Sequence, residues 1–299
     1  MNNKFICAIE EAKIEYKLNE SMKNHTSFKI GGNAKIFLTP DSPEKCAHAI
    51  KLCNEYDIDY IVIGKGSNIL VKDEGIDKAV ICISNAMSNI KLIDNKTIYC
   101  QAGASLASIC NFALDASLTG IEFAYGIPGN LGGAISMNAG AYGGEMKDIV
   151  VSCDYIDADG VLKTVLNEEL DFSYRHSFFS DKKFCIVGAT LNLNIGKKEE
   201  IRNVMTDLLG RRKEKQPLEF PSAGSTFKRP EGSYASLLID QCNLKGFTVG
   251  DAQISEKHAG FVINHGNATC KDVLNLVDSV KNIVFEKTGY TLEPEVKII

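Results

Sequence analysis

The chain is 299 residues long and 44% apolar, with a formal net charge of −5. Such a length predicts two or three domains rather than one core, and the negative balance offers nucleic acid no general attraction. No apolar run approaches the roughly twenty residues that span a bilayer, and MNNKFICAIEEAK has no signal-like core, so a cytoplasmic protein with no membrane partner is expected.

In chain order, NHTSFKIGGNAKIFLTP sets a polar cluster before Gly31-Gly32 and then a strand over 34–38. His25, beside Thr26 and Ser27, reads more readily as a hydrogen-bonded turn residue than as a catalytic base. A helix follows, with Asp41 or Ser42 as cap, Pro43 in its first turn, and Cys46, Ala49, Ile50 and Cys53 on one face. A strand over 60–63 then runs into Gly64-Lys65-Gly66-Ser67-Asn68. The Walker spacing of glycines and lysine is absent. The apolar 69–71 that follows reads as strand, which argues against a GxGxxG turn opening a helix. A strand, turn, strand element with exposed amides can still hold phosphate oxygens.

Strands over 80–83 and 98–101 precede a helix capped by Ser105, with Leu106, Ile109, Cys110 and Ala113 on its apolar face. It delivers the chain to GIEFAYGIPGNLGGAISMNAGAYGGE, in which seven glycines lie from Gly126 to Gly144 and the first charge after them is Glu145. Backbone without Cβ atoms can cradle an anion or let a flat ring lie on the main chain; structural turns flanking a small-residue strand are the plainer reading. Segments 150–156 and 161–165 alternate about Asp159-Gly160, a hairpin signal, and 184–193 is a further strand.

From Gly196 a helix carries Ile201, Val204, Met205 and Leu208 on one side and ends in the basic Arg211-Arg212-Lys213-Glu214-Lys215. EFPSAGSTFKRP adds another small-residue turn. A helix near 235–242 and strands near 252–254 and 260–264 precede a last helix lined by Val273, Leu276, Val277, Val280 and Val284. The ten cysteines are scattered singly from Cys7 to Cys270, with no CxxC and no Cys–His cluster at zinc spacing. They read as reduced, buried thiols, and no metal site is expected.

Six stretches, in this order, resemble the UDP-N-acetylenolpyruvoylglucosamine reductase family: NHTSFKIGG, GKGSNIL, GIPGNLGGAISMNAGAYGGE, FSYRHS, PSAGSTFKRP and LEPEV. The resemblance implies an α+β fold, with vanillyl-alcohol-oxidase-type (PCMH-type) FAD-binding domains plus a C-terminal α+β substrate domain. It places FAD-binding subdomains at 1–85, with 290–299 packed against it, and at 86–196, and a substrate-binding domain at 197–289. The implied reaction is NADPH-dependent reduction of UDP-N-acetylglucosamine enolpyruvate to UDP-N-acetylmuramate, through non-covalently bound FAD, in peptidoglycan precursor synthesis. A monomer is expected. The interval from Arg175 to Ser225 is too short for the tyrosine-bearing segment that one class of the family carries, so the chain resembles the shorter class.

The resemblance also implies residue roles. Gly64, Lys65, Gly66, Ser67 and Asn68, together with Gly126, Pro128, Gly129, Gly132 and Gly133, would wrap the cofactor's pyrophosphate, with Ser136, Asn138, Ala141 and Arg212 nearby. Arg175 would hold the charge that builds on the substrate carboxylate, because a guanidinium stays charged and its fork matches that group. Ser225 would donate the proton to carbon, and Glu295 would polarise the enolate or orient a water. Tyr125, Lys215, Lys228 and Arg229 are the expected substrate contacts. Two other readings stay open: an oxidase or dehydrogenase of the same fold acting on another alcohol or sugar, and a silent nucleotide-binding module.

Overall fold

The computed structural model describes residues 3–299. Its contacts divide the chain into two units, one of residues 1–18, 35–65 and 78–211, the other of 19–34, 66–77 and 212–299. The division falls inside three strands, inside a long helix, and between Lys65 and Gly66 of the glycine turn.

A sheet of order Glu15–Ser21, Asn33–Thr39, Ile76–Cys82, Tyr60–Ile63 contains those three strands. Tyr60–Ile63 pairs in parallel with Ala79 to Cys82, as strands joined by a crossover rather than a hairpin must. Helix α1 (Asn3–Glu11) buries Phe5 and Ile9, and packs on α2 (Pro43–Glu55). In α2 the Ser42 side chain accepts from the Lys45 amide, Pro43 stands in the first turn, and Cys46, Ala49, Ile50 and Cys53 are buried as their spacing predicts.

The second sheet of the first unit runs Leu162–Leu166, Val150–Ile156, Cys185–Asn192, Thr97–Gln101, Ile90–Leu92, antiparallel throughout. Helices α3 (Leu106–Asp115) and α4 (Leu131–Ser136) belong to the same core, which is continuous from Phe5 to Met205. Asn54 of α2 donates to the Ala158 carbonyl at the hairpin tip. Gly160 there, at φ +75°, leaves no room for a Cβ beside Lys51 of α2, so helix and hairpin close on each other.

The second unit has its own core, including Phe28, Leu70, Phe227, Ile239, Val262, Leu276 and Val280. Its sheet runs Ser222–Ser225, Phe261–Asn264, Ala252–Ile254, Thr248–Val249. Helix α5 (Lys198–Lys215) crosses into this unit, and α6 (Ala235–Gln241) and α7 (Cys270–Thr288) lie within it. On α7 the expected face, Val273, Leu276, Val277, Val280 and Val284, is buried, worth roughly 1.5–3 kcal/mol per side chain. Thr269 and Asp272 form a capping box at its start, and Gly289, at φ +75°, ends it.

Three expectations change. The turn at Gly64–Asn68 does not join neighbouring strands: Ile69–Leu70 pairs in parallel with Lys297–Ile298, so the turn hands the chain from one sheet to another. In α5 only Ile201 and Met205 are buried while Val204 is 46% exposed, because this largely polar helix rests on a narrow seam. Residues 131–136, in the stretch read as bare backbone or as turns flanking a small-residue strand, wind into α4 despite Gly132 and Gly133.

Candidate functional site

In the first unit the two glycine motifs meet. A Cβ on Gly64 would strike the Asn130 side chain, whose amide nitrogen donates to the Ile83 carbonyl at 3.0 Å. Leu131 and Gly132 spend their amides on the carbonyls of Ala104 and Ala102, and the Gly129 carbonyl accepts from Leu106. Pro128 stands exposed, Ser136 is half-buried, and Gly126 follows the 3-10 turn Glu122–Ala124. Gly140–Ala141 pairs with Gly144–Glu145 as a small hairpin whose tip residues, Tyr142 and Gly143, have φ +54° and +91°. Tyr125 is half-buried against the core, whereas Tyr142 is 49% exposed. The aromatic that this stretch presents to solvent is therefore Tyr142, flagged in the sequence only by the glycines around it.

Arg175 sits in a tight turn in which Ser173 and His176 exchange both backbone hydrogen bonds. Its φ of +56° is unusual for a residue with a Cβ, and its guanidinium lies 5.1 Å from the Tyr174 ring centre. The turn hangs from the glycine stretch at both ends: Asn138 donates to the Ser173 carbonyl at 3.0 Å, and the Ser177 hydroxyl donates to the Ser136 carbonyl at 2.9 Å. Glu145 accepts from Asn138 and pairs with Lys147 at 3.0 Å. Lys147, then Asn138, with the charge of Arg175 adding to them, hold the Glu145 carboxyl below its ordinary range.

In the second unit Gly66, at φ +64°, is buried against the His25 carbonyl and Thr26, and its own carbonyl accepts from Ser27. The histidine is a turn residue here, 2.7 Å from Glu20. Asn68 donates to the Glu295 carbonyl at 3.2 Å, and Glu295 donates its own amide to the Thr226 carbonyl at 2.8 Å. The Glu295 main chain is thus held on both sides, by the Asn68 side chain and by the Thr226 carbonyl. Ser225, the residue before Thr226, lies at a register break against Phe261, and its hydroxyl reaches the Phe227 carbonyl at a long 3.5 Å. Gly224 next to it, at φ +79°, faces open room. Register breaks of this kind re-aim side chains, and here one leaves a serine beside open space.

Of the cations expected around substrate, Lys228 pairs with Glu293 at 3.2 Å and Arg229 stacks 4.1 Å over Tyr234. Arg212 is half-buried near the end of α5, and the exposed Lys215 ends it. Tyr234 also lines a hollow of about 420 Å³ with Leu237, Lys245, Lys257 and His258. Burial, helped by Lys245, pushes the His258 imidazole below its ordinary pKa, and its Nδ1 accepts from the Gly260 amide at 3.1 Å. None of these hollow residues stood out in the sequence, because single lysines and a histidine spread over 234–258 make no motif until the sheet gathers them.

Two family models match the chain: "FAD binding domain" over residues 34–166, and "UDP-N-acetylenolpyruvoylglucosamine reductase, C-terminal domain" over 216–299. UDP-N-acetylenolpyruvoylglucosamine reductase of Caldanaerobacter subterraneus subsp. tengcongensis is 48% identical over 282 residues, 94% of this chain and 93% of that one. This chain belongs to the UDP-N-acetylenolpyruvoylglucosamine reductase family. The relative of the same name from Clostridium novyi is 48% identical over 96% of this chain and 93% of its own. The crystal structure of the enzyme of that name from Thermus caldophilus matches with a TM-score of 0.80 and 36% identity, covering 95% of this chain and 98% of that one. A berberine bridge enzyme variant matches at a TM-score of 0.51 with 13% identity, over 65% of this chain and 44% of that one, and shows shared fold alone.

As a member of the reductase family, the chain is an FAD-dependent oxidoreductase of the PCMH-type flavin fold, and its length fits the shorter class. The glycines divide into two kinds against that cofactor. Gly64 and Gly132 lack a Cβ because neighbouring protein atoms fill the space, whereas Gly133 and Gly143 face room that no protein atom takes closely. The exposed Gly133, after two amides already spent within the protein, fits a flat or anionic group lying on bare backbone.

Proposed function

We propose that the chain reduces a UDP-linked enolpyruvyl amino sugar to UDP-N-acetylmuramate, with NADPH as electron donor and FAD held without a covalent bond, in the supply of peptidoglycan precursors. The observation that carries this reading is the bond from the Glu295 amide to the Thr226 carbonyl, which sets the Glu295 backbone beside the residue that follows Ser225 and its open glycine. A same-fold alcohol oxidase has no need of that pair, and a silent nucleotide-binding module has no need of either residue.

Bound FAD would supply the hydride for reduction of the enol ether's methylene carbon, and the residues of this chain manage the charge and the proton that follow. Arg175 neutralises the negative charge that develops on the substrate carboxylate, a task suited to a planar fork that stays charged. Ser225 gives its hydroxyl proton to the adjacent carbon, and Glu295 orients the enolate or a water. Serine is a weak acid, so its conjugate base needs a cation, and Lys215 and Lys228 are the candidates. The exposed pairing of Lys228 with Glu293 is worth less than about 1 kcal/mol, so a substrate phosphate can replace it.

Gly64 to Asn68, Gly126 to Gly133, Ser136, Ala141 and Arg212 are proposed to hold the cofactor, chiefly through main chain. The sugar nucleotide's diphosphate is assigned to Lys245 and Lys257 of the hollow with Arg229, and its base to the Tyr234 ring; Tyr125 is kept as a further contact, with Tyr142 the better exposed. The partition at 85, 196 and 289, the monomeric state and a cytoplasmic site of action belong to the same proposal; no helix among the described residues is long and apolar enough to cross a membrane.

The test is spectroscopic. Purified protein should be yellow, lose its flavin absorbance to NADPH without oxygen, and regain it on addition of UDP-N-acetylglucosamine enolpyruvate. Bleaching without recovery by that substrate would overturn the assignment.

A further inference from the structure

Asn138 is 1% exposed, has φ +41°, and every hydrogen-bonding atom of its side chain is engaged. Its amide nitrogen donates to Glu145 Oε2 at 2.9 Å and to the Ser173 carbonyl at 3.0 Å, while its oxygen accepts from the Lys147 amide at 3.0 Å. A primary amide meets all three demands. A carboxylate has no donor for Ser173 and repels Glu145, and a hydrocarbon leaves buried polar groups unpaired. Such a side chain is not turned toward a ligand, although its place in the glycine stretch suggests one.

What the amide holds is the turn of Arg175. Ser173 opens that turn, and Ser177 just after it is tied to the Ser136 carbonyl, so residues 136 and 138 suspend both ends. Left-handed backbone recurs at Asn138, Tyr142 and Arg175, and a guanidinium in such a turn keeps its height only while the turn's ends are fixed. We infer that Asn138, with Glu145 as its second anchor, is the positioning residue that sets Arg175 against the glycine stretch, and that it does not itself contact FAD. This rests on the proposed role of Arg175 toward the substrate carboxylate.

The experiment compares Asn138→Ala, Asn138→Asp, Ser177→Ala and Arg175→Ala as holoenzymes, with the two half-reactions followed separately under anaerobic stopped flow. In Asn138→Ala, reoxidation by the enolpyruvyl substrate should slow roughly tenfold to a hundredfold while reduction by NADPH stays within about twofold, the behaviour of a misplaced contact rather than a lost cofactor. Flavin content should be unchanged. Amide hydrogen exchange, measured on apoprotein as well, should rise at 174–177 and not across the unit. In Asn138→Asp the carboxyl faces Glu145 and titrates high, so reoxidation relative to wild type should recover as pH falls and the protonated group can donate once. Ser177→Ala cuts the turn's other tie and should show the same split, which keeps the inference testable if Asn138→Ala folds poorly.

Loss of flavin, equal slowing of both half-reactions, or unchanged exchange at 174–177 would overturn the inference. If Arg175→Ala reoxidises at the wild-type rate, the role given to Arg175 falls instead, and the exchange result still decides whether Asn138 pins the turn.

Discussion

The side chain of Ser225, the proposed proton donor, is held only loosely by the fold. Its hydroxyl has only the long contact to the Phe227 carbonyl, at the outer limit of a hydrogen bond. Ser225→Ala should therefore leave the unfolding free energy in urea within about 0.5 kcal/mol of wild type, while reoxidation of reduced flavin by substrate falls roughly a hundredfold or more. Retention of turnover within about tenfold would exclude the donor role. Gly66 is the opposite case. Its φ of +64° and the backbone carbonyl of His25 leave a Cβ nowhere to go, and backbone cannot swing aside as a lysine tip can. Gly66→Ala should cost more than about 1 kcal/mol in equilibrium unfolding, with an undiminished denaturant slope. An alanine variant as stable as wild type would mean that the turn is not held against His25.

At the scale of elements, the start of α7 shows what pattern reading reaches and what it misses. The burial face and the valines and leucine that form it follow from helical spacing, and the ends of α2 and α3 follow from Ser42 and Ser105, whose side chains accept from the third residue of each helix. Such signals are local, so sequence shows them. The Asp73 carboxylate, which accepts from the Cys270 and Lys271 amides at 2.8 and 3.0 Å, comes from a distant part of the chain, and no spacing rule points to it. Together with Thr269 Oγ1 on the Asp272 amide, it satisfies three successive amides that the helix itself cannot. Thr269→Ala should lower stability by about 1 kcal/mol, and Asp73→Ala by roughly 1–2 kcal/mol, measured by urea unfolding of the holoenzyme. An Asp73→Ala variant indistinguishable from wild type would show that water serves those amides equally well. The same distance problem hid the parallel partner of Ile69–Leu70, which is the terminal Lys297–Ile298.

For the molecule as a whole, motifs located the residues of the proposed site but not how the fold holds them. Glycine, serine, arginine and glutamate stood out because small or charged residues interrupt apolar patterns; Asn138 and Asn68 stood in the same motifs as expected cofactor neighbours, and only the fold shows that one ties the Arg175 turn and the other ties Glu295. Two ionisable populations make the folded state testable. Asp59, bonded to Lys183 and Lys78, has its carboxyl lowered from the ordinary 3.8 to about 2. A carboxyl depressed on folding stabilises above its unfolded pKa and loses that contribution as pH falls through the folded one, so the Asp59 share disappears between about pH 4 and about pH 2. With 41% of its side chain exposed, that share is below about 1 kcal/mol, and Asp59→Asn should flatten the acid limb only slightly. The cysteines give the sharper measurement. Nine of the ten are buried and only Cys7 is exposed. Burial raises the thiols of Cys53 and Cys100 to about 12, and those of Cys82 and Cys270 to about 11. Thiolate is the reactive form, so at pH 8 an aromatic disulfide reagent should titrate one thiol rapidly in native protein, none in Cys7→Ser, and all ten in denaturant. Rapid reaction of a second thiol without unfolding would mean that one of the two cores opens far more readily than its packing implies, and mass mapping of the labelled cysteine would say which.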